Sequence, residues 1–191
     1  LKVTKYHAGR GMLDFRNVES DTGMKVLGLG GALFYEKVYY DGIASFYGPD
    51  VYLIEDRVFQ YCYSLQHVEV SPNLETIGVC VFCDTSSLTN IVPNKLPKLK
   101  SIGSMAFRNN SKLAIDFEAP LCTTVAGTAF SGSGLRSITL PSVITIGEEA
   151  FKSCANLTNA IVAASTLGGS AFYMASALRE VHFTNPNGVS A

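Results

Sequence analysis

Tryptophan is missing from this 191-residue chain, and charge of either sign is scarce: 15 Lys and Arg against 16 Asp and Glu, 16% of the residues together. A net charge of −1 leaves no basic face to displace the counterions of a nucleic acid, so that class of partner is excluded. No uninterrupted apolar run approaches the roughly 20 residues of a membrane helix. Direct membrane insertion by this segment is therefore not expected, and its first residues show no signal-peptide core. Disorder is excluded by an abundance: 47% hydrophobic residues bury enough surface to offset chain entropy. Glycine is plentiful, at 17 residues, which points to short strands and tight turns and makes internal repetition the first thing to test.

The repeat is present. TIGVCVF (Thr76 to Phe82), SIGSMAF (Ser101 to Phe107) and TIGEEAF (Thr145 to Phe151) each place an aliphatic residue five positions before a Phe. The same step joins Ile54 to Phe59, Val125 to Phe130, Leu167 to Phe172 and, more weakly, Leu29 to Phe34. The seven Phe residues recur every 21 to 25 positions. A second apolar signal follows six residues later (Leu65, Leu88, Leu113, Leu157, Leu178) or five (Leu135), and then an alternating segment such as Ser137-Ile138-Thr139-Leu140. Period-2 alternation puts Ile138 and Leu140 on one face and Ser137 and Thr139 on the other. Proline closes several of these strands (Pro72, Pro93, Pro120, Pro141) because it has no ladder donor.

The Ile-Gly step (Gly78, Gly103, Gly147, Gly168) calls for positive φ or close backbone approach. Glu148 and Glu149 are read as opening a helical turn, at its positive dipole end, that directs Ala150, Phe151 and Cys154 inward. A unit this short cannot close a core alone, whereas a stack of units makes one continuous column.

These residues carry a family resemblance. TIGEEAFKSCANL, then a strand, then TLGGSAF, resembles the BspA-type leucine-rich repeat of about 23 residues, known from surface and secreted proteins. The repeat's Cys, three residues after the Phe, is matched by Cys62 and Cys154, and Asn110, Gly132 and Ala175 replace it elsewhere. LAIDFEAP (113 to 120) is shifted by one residue, and the Tyr-rich segment 35 to 53 barely follows the pattern. The resemblance implies a repeat solenoid, a right-handed leucine-rich-repeat superhelix. Its short parallel strands lie on the concave side and its turns, 3₁₀ or helical, on the convex side. It also implies an extracellular or cell-surface location and a binding or adhesion role, with no catalytic residues or cofactor to carry over. The expected layout is an N-terminal cap at 1–28, about seven repeats at 29–183 and a tail at 184–191. The chain is expected to be a piece of a longer protein.

Catalytic constellations fail on spacing. His67 and His182 lie five rungs apart, about 24 Å at the ~4.8 Å strand spacing, and His7 has no acidic or Cys companion. Cys62 and Cys154 are four rungs apart, beyond disulfide reach, and read as small core fillers. CVFC (80 to 83) lacks the strand-to-helix context of a redox motif and the second pair of a zinc site, while a Cys62–Cys83 bridge between neighbouring rungs is geometrically allowed. LGLGGALF lacks the third Gly of a dinucleotide loop, and Gly132-Ser133-Gly134 has no partnering base.

Binding is left. The outward strand positions form one expected ladder: His67 and Glu69, Asn90 and Val92, Asp116 and Glu118, Ser137 and Thr139, Asn159 and Ile161, Glu180 and His182. It is mildly acidic and free of aromatics, which suits a protein partner read by hydrogen bonds better than a sugar. The Tyr-rich segment 35 to 52 is a second candidate surface. The expected function is a non-catalytic, adhesion-like interaction module. A structural spacer in a larger surface protein and an intracellular scaffold are the alternatives.

Overall fold

The computed structural model describes residues 42–185, together with two short strands at 12–14 and 28–29. Each coil contributes one longer and one shorter strand. The longer ones are β1 (Met12–Asp14), β3 (Ser45–Gly48), β5 (His67–Val70), β7 (Asn90–Val92), β9 (Asp116–Glu118), β11 (Ser137–Leu140), β13 (Asn159–Val162) and β15 (Glu180–Phe183). The shorter ones have two residues each: β2 (Gly28–Leu29), β4 (Leu53–Ile54), β6 (Thr76–Ile77), β8 (Ser101–Ile102), β10 (Thr124–Val125), β12 (Thr145–Ile146) and β14 (Thr166–Leu167). All pairs are parallel and join strands of successive coils, so the chain is a solenoid. The expected architecture holds, with the Ile-Gly steps adding a second, seven-stranded ladder.

Backbone chemistry explains the turns. The Phe turns are a third inter-coil ladder: Met105, Phe107 and Asn109 donate their N–H groups to the carbonyls of Gly127, Ala129 and Ser131, at 3.2, 2.7 and 2.8 Å. Two residues per coil take positive φ to present those groups, giving Arg57 and Tyr61, Cys80 and Asp84, Met105 and Asn109, Thr128 and Gly132, Glu149 and Ser153, and Ser170 and Met174. This corrects the helical turn expected at Glu148 and Glu149. Glu149 has φ 55° and donates its N–H to Gly169 of the next coil, so the bonds that would build a helix run between coils instead. Its carboxylate is held by Lys152 at 2.6 Å. The Ile-Gly glycines have ordinary φ and serve close approach: a Cβ on Gly103 would lie 2.5 Å from the carbonyl carbon and oxygen of Gly78.

The core is a column of rings. Phe59, Phe82, Phe107, Phe130, Phe151 and Phe172 stack with centroids 4.8 to 5.5 Å apart and planes within 16° of parallel, because the strand ladders set the same spacing. Beside it runs a column that the sequence assigned to fillers. Three residues after each Phe stand Cys62, Thr85, Asn110, Ser133, Cys154 and Ala175, so Ser133 and not Gly132 holds that position. Thr85 Oγ1 donates to the Phe59 carbonyl at 2.8 Å, Asn110 Nδ2 to Phe82 at 2.8 Å and Cys154 Sγ to Phe130 at 3.0 Å. These side chains stitch a coil to the one before it, adding a second partner to a buried carbonyl that already accepts a turn N–H, as Phe59 does from Cys62 at 3.2 Å. Phe34, His7 and Tyr35, Tyr39 and Tyr40 lie outside the described residues. So does most of the segment read as the cap, though β1 within it pairs with β3 and lengthens the first ladder.

Candidate partner-binding ladder

Alternation along each longer strand buries Val68 and Val70, Ile138 and Leu140, or Ala160 and Val162, and turns the intervening positions outward. Two outward columns result. Ser45, His67 and Asn90 stand in register in the first column, and Tyr47, Glu69 and Val92 in the second. Further along, Asp116, Ser137, Asn159 and Glu180 continue the first column, and Glu118, Thr139, Ile161 and His182 the second. Each expected site residue thus occupies an outward strand position.

The ladder is not one surface, however. β7 and β9 do not pair, so Asn90 has no register partner in Asp116. Ile91 and Ile102 are separated by a longer connection than their counterparts in other coils, and residues of that connection stand where the strand contact would be. Glu118 N–H donates to Asn94, Leu96 N–H donates to Glu118, and Asn94 Nδ2 reaches the Asp116 carbonyl at 2.6 Å. Leu96 and Leu99 are both fully buried, and this anchors the inserted segment. His67, Glu69 and Asn90 therefore belong to one group, and Asp116, Glu118, Thr139, Asn159, Glu180 and His182 to another.

The acids of the second group are already engaged. Asp116 accepts from the Arg136 guanidinium at 2.7 Å and from Ser137 Oγ at 2.8 Å, and Glu118 pairs with Lys95 at 2.6 Å. With both side chains of the Asp116–Arg136 pair 56% exposed, the pair contributes at most about 1 kcal/mol and can be exchanged for a partner's charges. Glu180 Oε1 lies 3.7 Å from His182 Nδ1, an ion pair only when the imidazole is protonated. Lys95 and Arg136 were not anticipated, since neither lies on a strand.

The ladder is not free of aromatics either. Tyr47 stands beside Glu69, its ring 5.2 Å from that of His67. The alternation in Ser45-Phe46-Tyr47-Gly48, with Phe46 fully buried, was the available signal, obscured because its coil departs from the repeat pattern.

The cysteines form no bridge among the described residues: all five are buried thiols. Burial pushes Cys122 up to about 11, against an ordinary value of 9.0, with a hydrogen bond to Thr124 opposing it, and burial raises Cys154 as well. Among the described residues no group of three metal-ligating side chains converges, and no helix is long and apolar enough to cross a membrane.

Residues 100–189 match the family model described as the BspA type leucine rich repeat region, in six copies. A leucine-rich repeat protein from Bacteroides ovatus is similar in structure, with a TM-score of 0.61 at 22% identity over 93% of this chain. A leucine-rich repeat protein of T. pallidum gives 0.62 at 19% identity, covering 85% of this chain and 76% of that one. At these identities the likeness is one of fold. This chain spans 40% of the length of the Bacteroides ovatus protein. No curated protein matches.

Proposed function

We propose that this chain, a BspA-type leucine-rich repeat protein, is a non-catalytic protein-interaction module of an extracellular or cell-surface protein, and that it binds through the second half of its outward ladder. The observation that carries this reading is the unbroken register from Asp116 and Glu118 to Glu180 and His182, four strands of small polar and weakly paired charged side chains on a rigid stack. Such a face offers a protein hydrogen bonds and exchangeable charges at little cost in ordering, since the strands are already fixed. The adhesion-like role in a larger surface protein is part of the same proposal and is supported by the resemblance to the BspA-type repeat family rather than by the face itself.

The test must avoid Asp116 and Glu118, because reversing them would set new lysines against Arg136 and Lys95. Thr139→Lys with Ile161→Lys places bulk and charge at the centre of the second column. The immobilised chain is challenged with a detergent extract of membrane proteins, beside this variant and Lys112→Glu on an exposed turn. The expected result is at least a tenfold loss of each captured species with the ladder variant and none with the turn variant. Equal capture by both would sink the ladder reading in favour of another face, and no capture by the unaltered chain would favour a spacer.

A further inference from the structure

Two thiols remain that neither the core nor the ladder explains. Cys80 stands two residues before a stacked Phe and Cys83 one residue after it. The same pair of positions meets in other coils: Glu149 and Lys152 form an ion pair at 2.6 Å, and Arg108 reaches the Met105 sulfur at 3.4 Å. The coil's own backbone thus brings these two side chains together. In the second described coil the pair is two cysteines. The turn is closed by the Cys83 N–H donating to the Cys80 carbonyl at 3.3 Å. Such a turn brings Cα atoms within about 7 Å, the range a disulfide spans. The Cys83 thiol also hydrogen-bonds that of Cys80 and donates to Asp84 Oδ2 at 3.2 Å, while Gln60 Nε2 lies 3.9 Å from Cys80 Sγ.

We infer that Cys80 and Cys83 are a redox-modification site, closed into an intramolecular disulfide by exchange with a small-molecule disulfide. The Cys80 thiolate attacks one sulfur of oxidised glutathione, forming a mixed disulfide and releasing one glutathione thiolate. Cys83 then gives its proton to the released glutathione thiolate and attacks the protein-side sulfur, forming the Cys80–Cys83 bond. The bond to the second glutathione breaks, and that glutathione leaves as a thiolate and takes a proton from solvent. The protein is oxidised by two electrons and one glutathione disulfide is reduced to two thiols. Cys80 is the attacking residue because burial, the neighbouring thiol and the Asp84 carboxylate all hold Cys83 in its protonated form. Cys80, at 6% exposure, is the least buried of the five thiols, whereas Cys62, Cys122 and Cys154, at 1% or less, are out of reach of the disulfide and stay reduced. The pair replaces an ion pair with a bond that the redox state of the surroundings makes or breaks.

The fully reduced chain is incubated, natively folded, with excess oxidised glutathione at pH 8, quenched by alkylation and mapped by mass spectrometry. The expected product has lost two of its five alkylatable thiols to a single Cys80–Cys83 bridge. Cys83→Ser should stop at a mixed disulfide on Cys80, and Cys80→Ser should stay reduced. Both variants should fold, because Thr128 and Ser131 fill these two positions in another coil. A wild-type chain that stays reduced, a bridge mapped to Cys62 and Cys83, or bridging that persists in Cys80→Ser would each overturn the assignment.

Discussion

Thr85, Asn110, Ser133 and Cys154 show how one sequence position performs two tasks at residue scale. Each is small enough for the core, and three of the four donate to the preceding Phe carbonyl. Thr85→Val keeps the shape and removes the donor, leaving the buried Phe59 carbonyl with the Cys62 N–H as its remaining partner. Urea denaturation should show a loss of about 0.5–1.5 kcal/mol, whereas a position that only filled space would show almost none. The positive-φ pairs invite the opposite experiment. Met174 is exposed and sits at φ 58°, a conformation costing a non-glycine residue about 1–2 kcal/mol. Met174→Gly should raise stability by roughly 0.5–1 kcal/mol once glycine's extra freedom in the unfolded chain is deducted. Gly103→Ala, with its Cβ forced onto Gly78, should lower stability by about 1–3 kcal/mol in the same assay.

Among the elements, the Phe stack couples the coils. Phe107 is fully buried, stacks on Phe82 and Phe130 at 5.2 and 4.8 Å, and meets Phe117 edge-on at 6.1 Å. Phe107→Ala should cost about 3–5 kcal/mol. The same change at Phe172, which is only partly buried and stacks on Phe151 alone among the described residues, should cost clearly less. Equal costs would mean that each ring acts within its own coil. The stack and its spacing were readable in the sequence, because a ring at fixed register in a periodic chain can only fall above its predecessor. The turn that carries it was not. Ser-Met-Ala-Phe and Glu-Glu-Ala-Phe look helical by local propensity, and only the neighbouring coil's carbonyls make the left-handed alternation favourable.

For the whole molecule, buried thiols tie stability to pH. In the unfolded chain they ionise near 9.0, while burial holds Cys122 up to about 11 and raises Cys154. The folded state therefore keeps protons that the unfolded state releases. This contribution is complete below about pH 9 and is lost as pH rises toward about 11. Denaturation midpoints should fall across that window, and the fall should be shallower in Cys122→Ala. The same scale separates what was legible from what was not. Periodicity alone determined the solenoid, the inward face of the longer strands from β5 to β13 and the outward place of His67, Glu69, Asn90, Asp116, Glu118, Thr139, Asn159, Glu180 and His182, because a repeating chain repeats its burial. Only the tertiary structure decided that these residues form two groups. The break depends on Asn94 to Leu96 taking the hydrogen bonds of a missing strand contact, a competition between segments that no local pattern encodes. It alone also brought Lys95 and Arg136 onto the acids, Tyr47 onto His67 and Cys80 onto Cys83, since each contact depends on where one coil or turn falls against another.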